Sequence, residues 1–139
     1  MRVTAWERRQ MATICRAILP QKGETFLPGA EELPLEAFVD EFFAYTPGGS
    51  SIGVRLATII ILVAALFRYG RSFGRLTREK QADLLNTMAS SRWYIVREMP
   101  MLVKLMAFLA WDGDPRVHRA LGVRMHDGSS PDWLVEAKR

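Results

Sequence analysis

Apolar residues recur at intervals of three and four along most of this chain, and no stretch alternates with the period of two that a half-buried strand requires. The first such stripe is Met11, Ile14, Cys15, Ile18 and Leu19. It follows Thr4 and Glu7, a Ser/Thr-x-x-Glu pair that predicts a capping box at a helix start, and Pro20 predicts its end. Residues 21–32, with Gly23, Pro28 and Gly29, read as a loop. A second helix starts near Pro34, at the first helical position, with Leu35, Phe38, Val39, Phe42 and Phe43 on one face. Pro47, Gly48 and Gly49 close it.

Ser50 or Ser51 is expected to cap a third helix running to about Tyr69. Its segment Leu56 to Phe67 is apolar apart from Thr58. A helix apolar on nearly every side belongs at the centre of a bundle, enclosed by neighbours. Gly70 and Gly74 interrupt the chain, and Thr77 caps a fourth helix with the stripe Leu84, Leu85 and Met88. A fifth runs from about Arg92 to Ala110, with Pro100 expected to kink or divide it. Asp114 and Pro115 open a short helix that Gly122 closes. The expected architecture is all-α: one compact domain over residues 4–123, five or six helices around the apolar third one, then an extended tail over 124–139.

Composition fits this picture and narrows the chemistry. With 49% hydrophobic residues in 139, the chain can bury a real core. Lys and Arg exceed Asp and Glu by 19 − 15 = +4, spread along the chain, which argues against a nucleic-acid module. The single cysteine, Cys15, excludes an internal disulfide and any multi-cysteine metal site. Met1 to Glu7 lack the basic-then-apolar run of a secretory signal, so a cytoplasmic location is expected. Leu56 to Phe67 is short for a membrane span and reads as a buried core helix.

No catalytic, cofactor-binding or metal-ligating set emerges. His118 and His126 have no partner at metal spacing and read as solvent-exposed. Cys15, on an apolar stripe, reads as a buried hydrophobe. Gly48-Gly49-Ser50-Ser51 lacks the Lys-Ser/Thr ending of a phosphate loop. Asp112 and Asp114 have no distal Glu to complete a calcium loop, and turn and cap duty explains them.

Two features exceed what a self-sufficient monomer needs. Arg68, Arg71, Arg75 and Arg78, with Tyr69 and Phe73 between them, form a strip that could dock a partner's carboxylates or a phosphate-bearing ligand, or simply a solvated connector. The fifth helix is apolar on more than one face. Trp93, Tyr94, Met101, Met106 and Trp111 are its candidates for a partner interface, or for core filler where methionines are concerned.

The order "RRQMATICRAILP", "LPGAEELPLEAFVDEFFA", a long apolar helix, "FGRLTREKQADLLNTMASSRW" and "FLAWDGDPRVHRALGV" resembles the helical N-terminal region of long-chain alcohol oxidases and related glucose–methanol–choline flavoproteins. More distantly it is similar to the small subunit of gluconate-type dehydrogenases. The resemblance covers Thr4 to Val123. It implies an accessory subunit without catalytic residues, docked to a larger flavoprotein chain that carries FAD and acts on an alcohol or steroid-type substrate. The twin-arginine export signal common in gluconate-type small subunits is absent, which departs from that pattern. The alternatives are a peripheral membrane protein that uses Leu56–Phe67 and Trp93–Trp111 as apolar elements, and a small helical protein binding an apolar ligand.

Overall fold

A computed structural model describes residues 2–122; the expected tail over 124–139 and His126 lie outside the described residues. The described residues form six α-helices in one domain without strands: α1 Ala5–Ile18, α2 Leu35–Tyr45, α3 Gly48–Tyr69, α4 Arg78–Ala89, α5 Tyr94–Asp112 and α6 Pro115–Ala120. Single 3₁₀ turns lie at Ala30–Glu32 and Phe73–Arg75.

The helix starts follow local chemistry. Thr4 caps α1 in a complete capping box: its hydroxyl accepts from the Glu7 amide at 3.2 Å, and its own amide donates to the Glu7 carboxylate at 2.8 Å. Asp114 caps α6 by accepting from the Arg116 amide at 2.8 Å, with Pro115 at the first position. The expected cap on α3 is corrected. The cap is Pro47, three to four residues earlier, and the helix begins at Gly48; the Pro47 carbonyl accepts from the Ser51 amide at 3.2 Å. The Ser51 hydroxyl is buried and donates back to the carbonyls of Thr46 and Pro47, so it acts inside the first turn rather than ahead of it. Pro100 does not divide α5. It lies on the buried face, and the helix runs through it although the amide that would bond to the carbonyl four residues back is missing.

The core is shared by all the longer helices. Met11, Ile14 and Cys15 of α1 meet Val39 and Phe43 of α2, Ala57 and Ile61 of α3, Leu84 and Met88 of α4, and Val103 and Met106 of α5. The small residues Ala57, Ala65, Ala107 and Ala110 on facing sides let α3 and α5 approach closely, and no other pair of helices shares as much contact. Helix α1 touches all four of the other long helices, so it occupies the middle. Helix α3 does not have neighbours all round. One side is buried, and Ile52, Leu56, Ile59, Val63, Leu66 and Phe67 on the other are exposed.

The capping box yields a stability prediction. The Thr4 amide hydrogen bond holds the Glu7 carboxyl below the usual carboxylate range, against partial burial, and Arg55 adds to the effect at 3.4 Å. A lowered folded-state pKa means that the stabilisation is complete above the unfolded value of about 4.3 and is lost as pH falls through the folded value. Thr4→Ala should cost about 1 kcal/mol. Thermal melts should also show the stability advantage of wild type over Glu7→Gln shrinking between pH 6 and pH 3. An advantage that grows toward low pH would contradict this electrostatic account.

Candidate functional surface

Two faces of α3 carry apolar residues at heptad spacing. Ser51, Val54, Thr58, Ile61 and Ala65 follow one another at steps of three and four, and all are buried against the domain. Ile52, Leu56, Ile59, Val63 and Leu66 repeat the same steps on the opposite side of the helix, and all are exposed. Such spacing makes a continuous seam for helix–helix packing. The outer seam holds no charged residue, and at 1.5 Å per residue it runs about 21 Å.

Helix α5 has the same two-sided build. Met99, Val103, Met106 and Ala110 face inward, while Tyr94, Met101, Leu105 and Phe108 face out. Glu98 is the one charged residue at that outer spacing. The two outward faces belong to neighbouring helices, and a methyl group added at Gly53 of α3 would come into ordinary contact with Leu102 of α5. Cations sit on several exposed aromatic rings: Arg92 over Trp93 at 5.7 Å, Arg97 over Tyr94 at 5.5 Å and Lys104 over Phe108 at 5.7 Å.

The residues expected to dock a partner separate into those at the surface and those that build the domain. Trp93 and Tyr94 are both 66% exposed and Met101 is 59% exposed, as a docking role requires. Met106 is corrected: it is buried on the inner seam of α5, because the heptad that places Met101 outside places Met106 inside. Trp111 is half-buried, and its indole N–H donates to the Pro28 carbonyl at 3.0 Å, fastening the loop before α2. Phe73 is also corrected, since it is fully buried in the core.

The arginine strip divides in the same way. Arg68 donates to Asp83 at 3.1 Å, and the Tyr69 hydroxyl donates to the same carboxylate at 2.6 Å, holding Asp83 below the usual carboxylate range. Arg78 donates to the carbonyls of Arg16 and Leu19, at 3.2 and 2.7 Å, and so satisfies the C-terminal end of α1. It serves the fold, contrary to the docking expectation. Arg71 and Arg75 are exposed and make no ion pair or side-chain hydrogen bond among the described residues. They line a hollow of about 690 Å³ with Leu66, Gly70 and Ser72. A second hollow of about 300 Å³, between Trp6 of α1 and Ile59, Leu62 and Val63 of α3, also includes Leu66 and Ser72. The apolar groove therefore continues into the cationic one.

Among the described residues no three His, Cys, Asp or Glu side chains are grouped to hold a metal ion. His118 is less exposed than expected: its side chain is 17% exposed, and Nε2 hydrogen-bonds the Asp112 carbonyl. Cys15 is fully buried, and burial pushes its thiol up to about 12. In the native chain at pH 8 it should therefore fail to react with an aromatic disulfide reagent, and one thiol should appear on unfolding in guanidinium. Rapid titration of the folded chain would contradict that burial.

The outer seam of α3 is exposed where a helix apolar on nearly every side was expected to be enclosed by neighbours. Its signal was present in the steps Ile52, Leu56, Ile59, Val63 and Leu66, a second heptad register beside the buried one. A family model described as Gluconate 2-dehydrogenase subunit 3 matches residues 5–107, which is more than half of the chain and extends from the start of α1 into α5. No curated protein and no solved structure matches.

Proposed function

The chain belongs to the gluconate 2-dehydrogenase subunit 3 family, and from that membership we propose that it docks to and stabilises a larger FAD-dependent dehydrogenase chain through the outward faces of α3 and α5. The family makes it an accessory subunit of a dehydrogenase complex. In this reading the larger chain is of the glucose–methanol–choline type, carries the flavin and the reacting groups, and oxidises an alcohol or steroid-type substrate. The assembly resides in the cytoplasm.

The observation that carries the reading is the outer seam of α3. Exposed apolar residues in heptad register, with no charge among them, form a surface that water disfavours and a protein partner would cover. Its neighbour α5 adds aromatic and methionine side chains, residue types enriched at interface cores.

Co-expression tests it. A tagged version of this chain, produced with a flavoprotein dehydrogenase encoded beside it, should copurify as a yellow complex. A larger chain that is soluble, stable and fully active alone would overturn the proposal. One observation favours a second reading: α3 is long and apolar enough to cross a membrane, with only 33% of its most apolar window buried. The same face would then lie on a bilayer, and vesicle flotation of the purified chain separates the two readings.

A further inference from the structure

The outer seam and the cationic hollow at its end specify the kind of element that covers them. We propose that the occupant is an amphipathic helix of the larger dehydrogenase chain. Its apolar stripe lies along Ile52 to Leu66, and one or more of its carboxylates meet Arg71 and Arg75. This rests on the docking role proposed above and adds the chemistry of the docked segment.

Three observations favour that occupant. Steps of four and three from Ile52 to Leu66 create ridges and holes that accept the side chains of another helix. An extended segment would gain little here, because strand addition needs an open sheet edge, and the backbone of α3 is committed to its own helix. The apolar groove shares Leu66 and Ser72 with the hollow that Arg71 and Arg75 line, so apolar and cationic parts form one path. Among the described residues no acidic side chain lines either hollow, which leaves the two guanidiniums for an incoming carboxylate.

The placement of charge separates this face from one built for a bilayer. A helix lying in a membrane interface carries Lys and Arg along its polar side for its whole length. Here the flanks of the seam are the half-buried Ile60, Leu62 and Ala64, packed against the core. Arg55, the cation within the seam's length, is already engaged: it donates to the Arg2 carbonyl at 2.7 Å and lies 3.4 Å from Glu7. The positive charge is at one end, as docking a single acidic helix terminus requires.

The test uses the complete chain with its co-expressed larger subunit. The double variant Arg71→Glu/Arg75→Glu should weaken the complex about tenfold or more at low ionic strength, and the deficit should shrink toward 1 M salt, where charges are screened within about 3 Å. A photoreactive benzoylphenylalanine in place of Ile59 should crosslink to one acid-bearing helical segment of the larger chain. A complex that forms with unchanged affinity in the double variant overturns this inference and leaves the docking role standing. So does a crosslink to a basic or extended segment. Vesicles of phosphatidylglycerol and phosphatidylcholine provide the other arm. Binding of the free chain to them, lost in the double variant while the protein complex is unaffected, overturns the inference in favour of a bilayer. If the wild-type chain forms no complex at all, the docking role fails, and this inference with it.

Discussion

Val63→Asp should leave this chain folded and abolish its capture of the larger subunit. Val63 is 45% exposed in the middle of the outer seam, between Ile59 and Leu66. In the free chain the new carboxylate stays in water, and valine and aspartate have similar helix propensities, so the cost to folding is small. In the complex the same group would enter an apolar interface with no partner to neutralise it. Central interface positions of this kind cost about 2 kcal/mol or more when disrupted, which is about thirtyfold in affinity. The two effects are read separately, by a thermal melt of the free chain and by copurification at fixed concentration. Equal melting with equal capture would remove the outer seam from the docking surface.

Two residues earlier on the same helix the expectation reverses. Ile61 is fully buried on the inner seam, within the core shared with α1 and α5. Ile61→Ala removes methyl groups from a packed site and leaves a cavity, at a cost of about 2–5 kcal/mol. Domains of this size hold only about 5–15 kcal/mol in total, so a large part of the folded margin disappears. Urea unfolding should show a lower midpoint with an unchanged slope. The fraction that remains folded should bind the larger subunit with wild-type affinity, because the outer seam is untouched. A loss below about 1 kcal/mol would mean that the inner seam is not packed as described.

Much of the fold was legible because its signals are local. Thr4 with Glu7, Thr77 and Asp114 with Pro115 mark helix starts through the chemistry of the first turn, and they lie where the helices begin. The stripe Leu84, Leu85 and Met88 is buried as its spacing predicts. Ser50 and Ser51 misplaced the start of α3 because a serine before an apolar run suits a cap as well as a first turn. Gly48 and Gly49 were read as a break, yet here they are the first helical residues.

The docking surface was only half legible, since it depends on contacts between residues far apart in the chain. Arg68, Arg71, Arg75 and Arg78 are equivalent by type and spacing. Asp83, fifteen residues beyond Arg68, engages the first of them, and the carbonyls at the end of α1 engage the last, leaving the middle two at the surface. Met101 and Met106 likewise share one helix and one chemistry, but only the first faces outward.

By itself the sequence determined an all-helical domain, its caps and turns, and an apolar content on the third and fifth helices too large for one buried stripe each. The tertiary structure alone decided which side of α3 is enclosed. Both of its seams are apolar and both have heptad spacing, so periodicity does not rank them. The small residues Ser51, Ala57, Thr58 and Ala65 on one side are those that α1 and α5 approach, and the larger Ile52, Leu56, Ile59, Val63 and Leu66 remain outside. Hydropathy sets how much surface must leave water; the positions of the neighbouring helices set which part is left for a partner.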